Sequence, residues 1–303
     1  MILYCDFNPR ITREYELDDL KKHYINKGKD SRVFISGYGI DCLVFSKHLG
    51  VDAKLVGFFG GEKGEFIREK LDELNTSYKP VLIKDESLEE VILKTNFGKT
   101  FIRTKTPRIT LENEQKLYSV FNEEIDNVDL VCLSQSDQEN LSSSTYELLI
   151  KMCYSKGVKV AVTLKDLNYL KDSKPYMLIT DEEQLKDYFN EKLETKQDII
   201  KLANRFLDRG IGVVIVNSSK GTFILTKDSR FYADYEDFKD YIRKININLL
   251  LAGIGIGFER KYDFETLLKF GLASAIAENF MKFRMITMAE IKQIMNQIEI
   301  KEI

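Results

Sequence analysis

The chain has 303 residues, 44% of them hydrophobic, and a formal net charge of −3 with basic residues scattered among acidic ones. This supports one sizeable core and leaves no charge footprint for nucleic acid. No apolar run approaches a membrane span and no basic-plus-apolar leader opens the chain, so a cytoplasmic protein without a membrane partner is expected.

MILYCDF predicts a strand, closed by the turn signal Asn8-Pro9. REYELDD alternates as a more exposed strand, and SRVFISG is a strand ending at Gly37. A helix over 38–49, stopped by Gly50, precedes the strand AKLVGFFGG, a helix over 63–74 and the strand YKPVLIKD. That alternation predicts an α/β fold with a mainly parallel sheet. The rhythm breaks at EEVILKTNFGKTFIRTK, where two β-rich runs flank Asn96-Phe97-Gly98-Lys99, a hairpin signal. It resumes with a helix over 111–122, strand 128–134, a helix over 146–155 and strand 158–164. Then follow strand 176–180, a helix over 196–208, strand 213–217, the β pair TFILT/RFYAD and a helical tail from about Asn248. Cys5, Cys42, Cys132 and Cys153 form no C-x-x-C pair, which suits reduced thiols, and His23 and His48 lack metal-ligand spacing.

Residues 244–257, KININLLLAGIGIG, are the stretch around which the reading turns. Gly253, Gly255 and Gly257 strip side chains from a helix that must lie close to a neighbour, each at about 1 kcal/mol relative to alanine. Downstream, LAGIGIGFERKYDFETLLKFGLASAIAENF carries an apolar-Ala-Gly helix into a charged turn and a long Ala-rich helix. This run resembles the C-terminal part of the PfkB-type, ribokinase-like carbohydrate kinases. The opening MILYCDFNPRITREYELDDL resembles their 1-phosphofructokinase and tagatose-6-phosphate kinase branch. The resemblance implies a three-layer α/β sandwich with a small β lid. Residues 1–9, 26–87 and 108–303 would form the core, and residues 10–25 and 88–107 the lid, through which a homodimer is expected. It also implies ATP and Mg as cofactors if activity remains, and a sugar, sugar phosphate or nucleoside as acceptor.

Carried over residue by residue, the family's Gly-Ala-Gly-Asp, an anion hole followed by the catalytic base, falls on Ile245, Asn246, Ile247 and Asn248. An amide is no general base, and β-branched Ile245 and Ile247 are expected to resist the glycine backbone and fill the hole. A register shift to Asp237 or Asp240 is rejected, since neither has a glycine beside it. The expected sugar-binding Asp falls on Thr12, and Ser36-Gly37-Tyr38-Gly39-Ile40-Asp41 stands for Gly-Gly-Lys-Gly-(apolar)-Asn. The lid's Arg and Asn fall near Leu88 and Glu90, with Arg103 as a nearby anion-binding candidate. Gln135-Ser136-Asp137 replaces Gly-Ser-Leu-Pro. Asp181 and Gln184 take the Asn and Glu positions that organise Mg²⁺ and nucleotide, and Asp181 stays an oxygen donor suited to the metal. An acidic helix start explains the same residues. Ser218, Lys220 and Gly221 occupy a turn beside the nucleotide, equally readable as a hairpin turn.

The expectation is therefore a PfkB-type sugar or sugar-phosphate kinase homologue, catalytically impaired or inactive, with a retained binding or regulatory role. The alternatives are an active ATP-dependent phosphotransferase relying on Asp181, Lys220 and Arg103, and an assembly protein with no small-molecule site.

Overall fold

The computed structural model describes residues 1–234, 238, 245–278 and 286–303. The rejected alternatives Asp237 and Asp240, Lys244 and the end of the Ala-rich run at 279–280 lie outside the described residues. The first half of the chain forms β1 (Ile2–Asp6), β2 (Arg10–Glu16), β3 (Asp30–Ser36), α1 (Tyr38–His48), β4 (Ala53–Gly60), α2 (Gly61–Glu73), β5 (Ser77–Ile83), β6 (Leu88–Thr95), β7 (Gly98–Arg103) and α3 (Leu111–Glu124). β8 (Leu130–Leu133), α4 (Thr145–Ser155), β9 (Lys159–Thr163), β10 (Met177–Asp181), α5 (Glu182–Phe189) and α6 (Lys196–Asp208) follow. The chain closes with β11 (Val213–Ser218), β12 (Gly221–Leu225), β13 (Arg230–Asp234), α7 (Ile247–Glu259), α8 (Phe264–Ala277), α9 (Met288–Met295) and β14 (Glu299–Glu302).

Among the described residues ten strands pair in the order β14-β13-β12-β11-β10-β9-β8-β1-β4-β5. All neighbours from β11 to β5 are parallel, and β12, β13 and β14 add an antiparallel edge. Parallel strands buried on both faces read as continuous apolar runs, as MILYC and LVCL do. One face packs on α1, α2, α7, α8 and α9, and the other on α3, α4, α5 and α6. This is the expected three-layer ribokinase-like sandwich.

The glycines of α7 do what their spacing predicts. Two helical residues apart is about 200°, so Gly253 and Gly255 face different neighbours. A Cβ on Gly253 would lie 2.8 Å from the Gly271 Cα of α8, and one on Gly255 would lie 3.3 Å from the Cys132 Sγ of the sheet. The helix is pressed between the two.

Two expectations change. Residues 30–36, assigned to the core, pair as β3 with β2 in a separate four-stranded sheet, β3-β2-β6-β7. β2 is the reason: its register is set on one side by β6 and leaves the other edge open for an antiparallel partner. The tail is not helical to its end either. The alternation in QIEIKE gives β14, which covers the open edge of β13.

Candidate functional site

In a doubly wound sheet the ligand crevice lies at the carboxyl ends of the strands where the order reverses, here between β1 and β8. Asp6 closes β1 there and lays its buried carboxylate on the N-terminus of α1. Oδ2 accepts the N–H groups of Gly39 (2.9 Å) and Ile40 (3.0 Å), and Oδ1 accepts that of Asn8 (2.9 Å). Burial pushes the Asp6 pKa up, against the pull of those amides and of the Arg10 charge. Both glycines serve this cap. A Cβ on Gly37, whose φ is +154°, would strike the Asp6 carboxylate, and one on Gly39 would lie 2.6 Å from the Cys5 carbonyl oxygen. The amides expected to face a ligand are therefore engaged by Asp6. Asp41 stands half-buried in the first turn of α1, its N–H donating to the Gly37 oxygen at 2.9 Å.

The four-stranded sheet reaches over the crevice with a polar inner face. The Thr12 hydroxyl meets the Ser36 hydroxyl at 2.5 Å, both buried. Glu90, paired with Thr12 across β2 and β6, holds Arg103 through its Nε. Arg103 also donates to Asp137 Oδ2 (2.8 Å), which accepts from the Tyr38 hydroxyl (2.6 Å), while Lys165 reaches Asp137 Oδ1 (3.1 Å). Burial and this carboxylate raise the Tyr38 pKa to about 12, so the phenol is a donor. Leu88 stands where an arginine was expected, and its register partner on β2 is Arg10.

At the head of α7, Asn246 is the N-cap. Its Oδ1 accepts the amides of Asn248 (2.9 Å) and Leu249 (3.3 Å), and its Nδ2 donates to Glu278 Oε2 (2.6 Å). Asn248 is buried, with its Oδ1 lacking a donor among the described residues. Here the expectation needs correcting. Ile245 and Ile247 pack against the core on the helix side of the sheet, and the group on the amides is Asn246, because a local side-chain oxygen caps a helix without glycine geometry.

A profile of the pfkB family carbohydrate kinases matches residues 9–235. The chain belongs to the pfkB family. It is 24% identical to the 1-phosphofructokinase of Borreliella burgdorferi over 100% of this chain and 99% of that protein. It is 23% identical to the 1-phosphofructokinase of Bacillus subtilis over 92% and 93%. Escherichia coli phosphofructokinase-2, crystallised with potassium, superposes with a TM-score of 0.85 at 15% identity, covering 97% of this chain and 98% of that one.

A pfkB kinase implies ATP and Mg, yet the residues expected to receive them are engaged internally. Asp181 and Gln184 form the capping box of α5: Asp181 Oδ1 accepts the Gln184 amide (2.9 Å), and the Gln184 side chain bonds the Leu164 oxygen (2.5 Å) and Thr180 hydroxyl (2.7 Å). Among the described residues no group of three His, Cys, Asp or Glu side chains is arranged to hold a metal. Ser218 and Gly221 build the hairpin turn between β11 and β12, the Ser218 hydroxyl donating to the Gly221 oxygen at 2.8 Å. Glu182 Oε2 takes the Ser219 amide (3.1 Å) and hydroxyl (2.8 Å), and its Oε1 lies 3.6 Å from Lys220 Nζ. Burial alone would raise the Glu182 pKa, but bonds from Lys186 and Ser219 and the Lys220 charge bring it down to about 2. A nucleotide phosphate at this turn meets an ionised carboxylate already holding the donors. The donors of this turn are held by a carboxylate of the chain itself.

Sequence reasoning passed over Asp6, Arg10 and Asn246. A lone charge ending an apolar strand was the available signal for Asp6. For Asn246 it was an Asn just before an apolar helix, obscured by reading that position as part of a glycine motif.

Proposed function

We propose that this protein uses the pfkB scaffold to bind a phosphorylated sugar, in the manner of its 1-phosphofructokinase relatives, and that its phosphoryl transfer is impaired. The observation that carries this reading is the Asn246 side chain on the amides heading α7, beside an Asn248 that has no basicity. A missing general base typically costs ~10²–10⁴-fold, and a missing oxyanion donor roughly 10²–10³-fold; the losses need not multiply. The Glu182 contacts at the Ser219-Lys220 turn support the same reading. The test is coupled ATP consumption across fructose, fructose 1-phosphate, fructose 6-phosphate and nucleosides. Turnover should stay at least about 10²-fold below the median enzyme rate near 10 s⁻¹. Asn248→Asp should recover less than about tenfold, because Asn246 still holds the amides. Turnover near that median in the wild type would overturn the reading.

We further propose that the lid pairs with that of a second copy. Tyr15, Val33 and Ile102 share one face of the four-stranded sheet and are exposed, an apolar surface of the kind that association covers. Sedimentation should find a dimer, and a monomer at every concentration would count against it. The four buried free thiols agree with a reducing cytoplasm.

A further inference from the structure

Arg10 opens β2, between Ser36 of β3 and Leu88 of β6, with only 6% of its surface exposed. Its guanidinium lies over the Tyr38 ring, 5.1 Å from the centroid, and its Nε and Nη1 find no acceptor among the described residues. Asp6 is the carboxylate that feels its charge, yet those carboxylate oxygens already accept three backbone amides and need no guanidinium to be satisfied. A buried charge with unmet donors destabilises a folded chain. Such a group is expected where a ligand completes it.

The surroundings indicate which ligand. Side chains two apart on a strand share a face, so Arg10 and Thr12 look the same way, as do Leu88 and Glu90 beside them. A sheet face turned to the interior is ordinarily apolar; this one carries Arg10, Thr12, Ser36 and Glu90, all buried. Of the two cations there, Arg103 is held by Glu90 and Asp137, whereas Arg10 keeps two unmet donors, Nε and Nη1, on different sides of its guanidinium. A buried cation with unmet donors matches the oxygens of a phosphate or carboxylate group, while the Thr12 and Ser36 hydroxyls match alcohols.

We propose that Arg10 is the anion receptor of the crevice, its guanidinium donating to oxygens of a phosphate monoester on a polyhydroxylated substrate. The assignment rests on the sugar-phosphate reading above and adds the residue that selects phosphorylated over plain sugars.

The test uses thermal shift and calorimetric titration of the full chain with fructose 1-phosphate, fructose 6-phosphate, inorganic phosphate and, as the uncharged control, fructose. The wild type, Arg10→Met, Arg10→Lys and Arg13→Met are compared, Arg13 pointing to the opposite face of β2. At least one sugar phosphate should bind the wild type while fructose does not. Arg10→Met, which keeps the aliphatic stem, should melt within about 2 °C of wild type or above it without ligand. It should bind that sugar phosphate about ten- to hundredfold more weakly. Arg10→Lys should weaken binding less, and Arg13→Met should leave it unchanged. Wild-type affinity in Arg10→Met would overturn the assignment while leaving the sugar-phosphate reading intact. So would a ligand-free Arg10→Met that fails to fold or melts far lower, since the guanidinium would then be structural. Equal binding of fructose and its phosphates would refute the anion preference. A wild type that binds none of the four would end both proposals.

Discussion

Two helix N-termini face the crevice, α1 and α7, and the chain closes each with its own side chain by a different chemistry. α1 receives a carboxylate from the end of β1, an element 33 residues away in sequence that must approach closely, so Gly37 and Gly39 are obligatory. α7 receives the neutral amide oxygen of its own N-cap, a local contact that tolerates Ile245 and Ile247 alongside. Glycine next to a helix start therefore reports how closely something approaches, not what approaches. In α1 that something is protein.

The largest effect is expected at Asp6. Asp6→Ala strands three buried amides, and should cost about 3–5 kcal/mol in urea unfolding. A loss below about 1 kcal/mol would mean water replaces the carboxylate readily. Gly39→Ala comes next: its Cβ would sit 2.6 Å from a backbone oxygen of β1, so α1 must back away, at about 2–3 kcal/mol. A neutral result there would return the glycine to ligand binding. Asn246→Ala is the mildest, an N-cap loss of about 1 kcal/mol. It sharpens the contrast if phosphate binding appears at the freed amides of Asn248 and Leu249, readable as amide shifts in NMR.

Much of the scaffold could be read from the residues. The alternating apolar runs and helices gave the α/β order, and the Gly253 to Gly257 spacing gave a helix pressed between two neighbours, because both are local periodicities. β3 escaped because a strand's sheet is decided by its partners, and nothing within SRVFISG distinguishes β2 from β1 as a neighbour. The crevice was legible only as positions. Thr12, Glu90 and Arg103 do share one inner face, but Asp181, Gln184, Ser218 and Gly221 satisfy one another in a cap and a turn. Arg103 is doubly engaged, and Asp137, which engages it, lies 34 residues further along the chain.

By itself the sequence determined the layers of this protein and the absence of a carboxylate at position 248, since periodicity and residue identity are carried in one dimension. Which donors remain available was decided only by the tertiary structure. Hydrogen-bond capacity depends on what arrives from elsewhere in the chain: Asp6 and Glu182 arrived at amides that looked open, and none of the described residues arrived at Nε and Nη1 of Arg10.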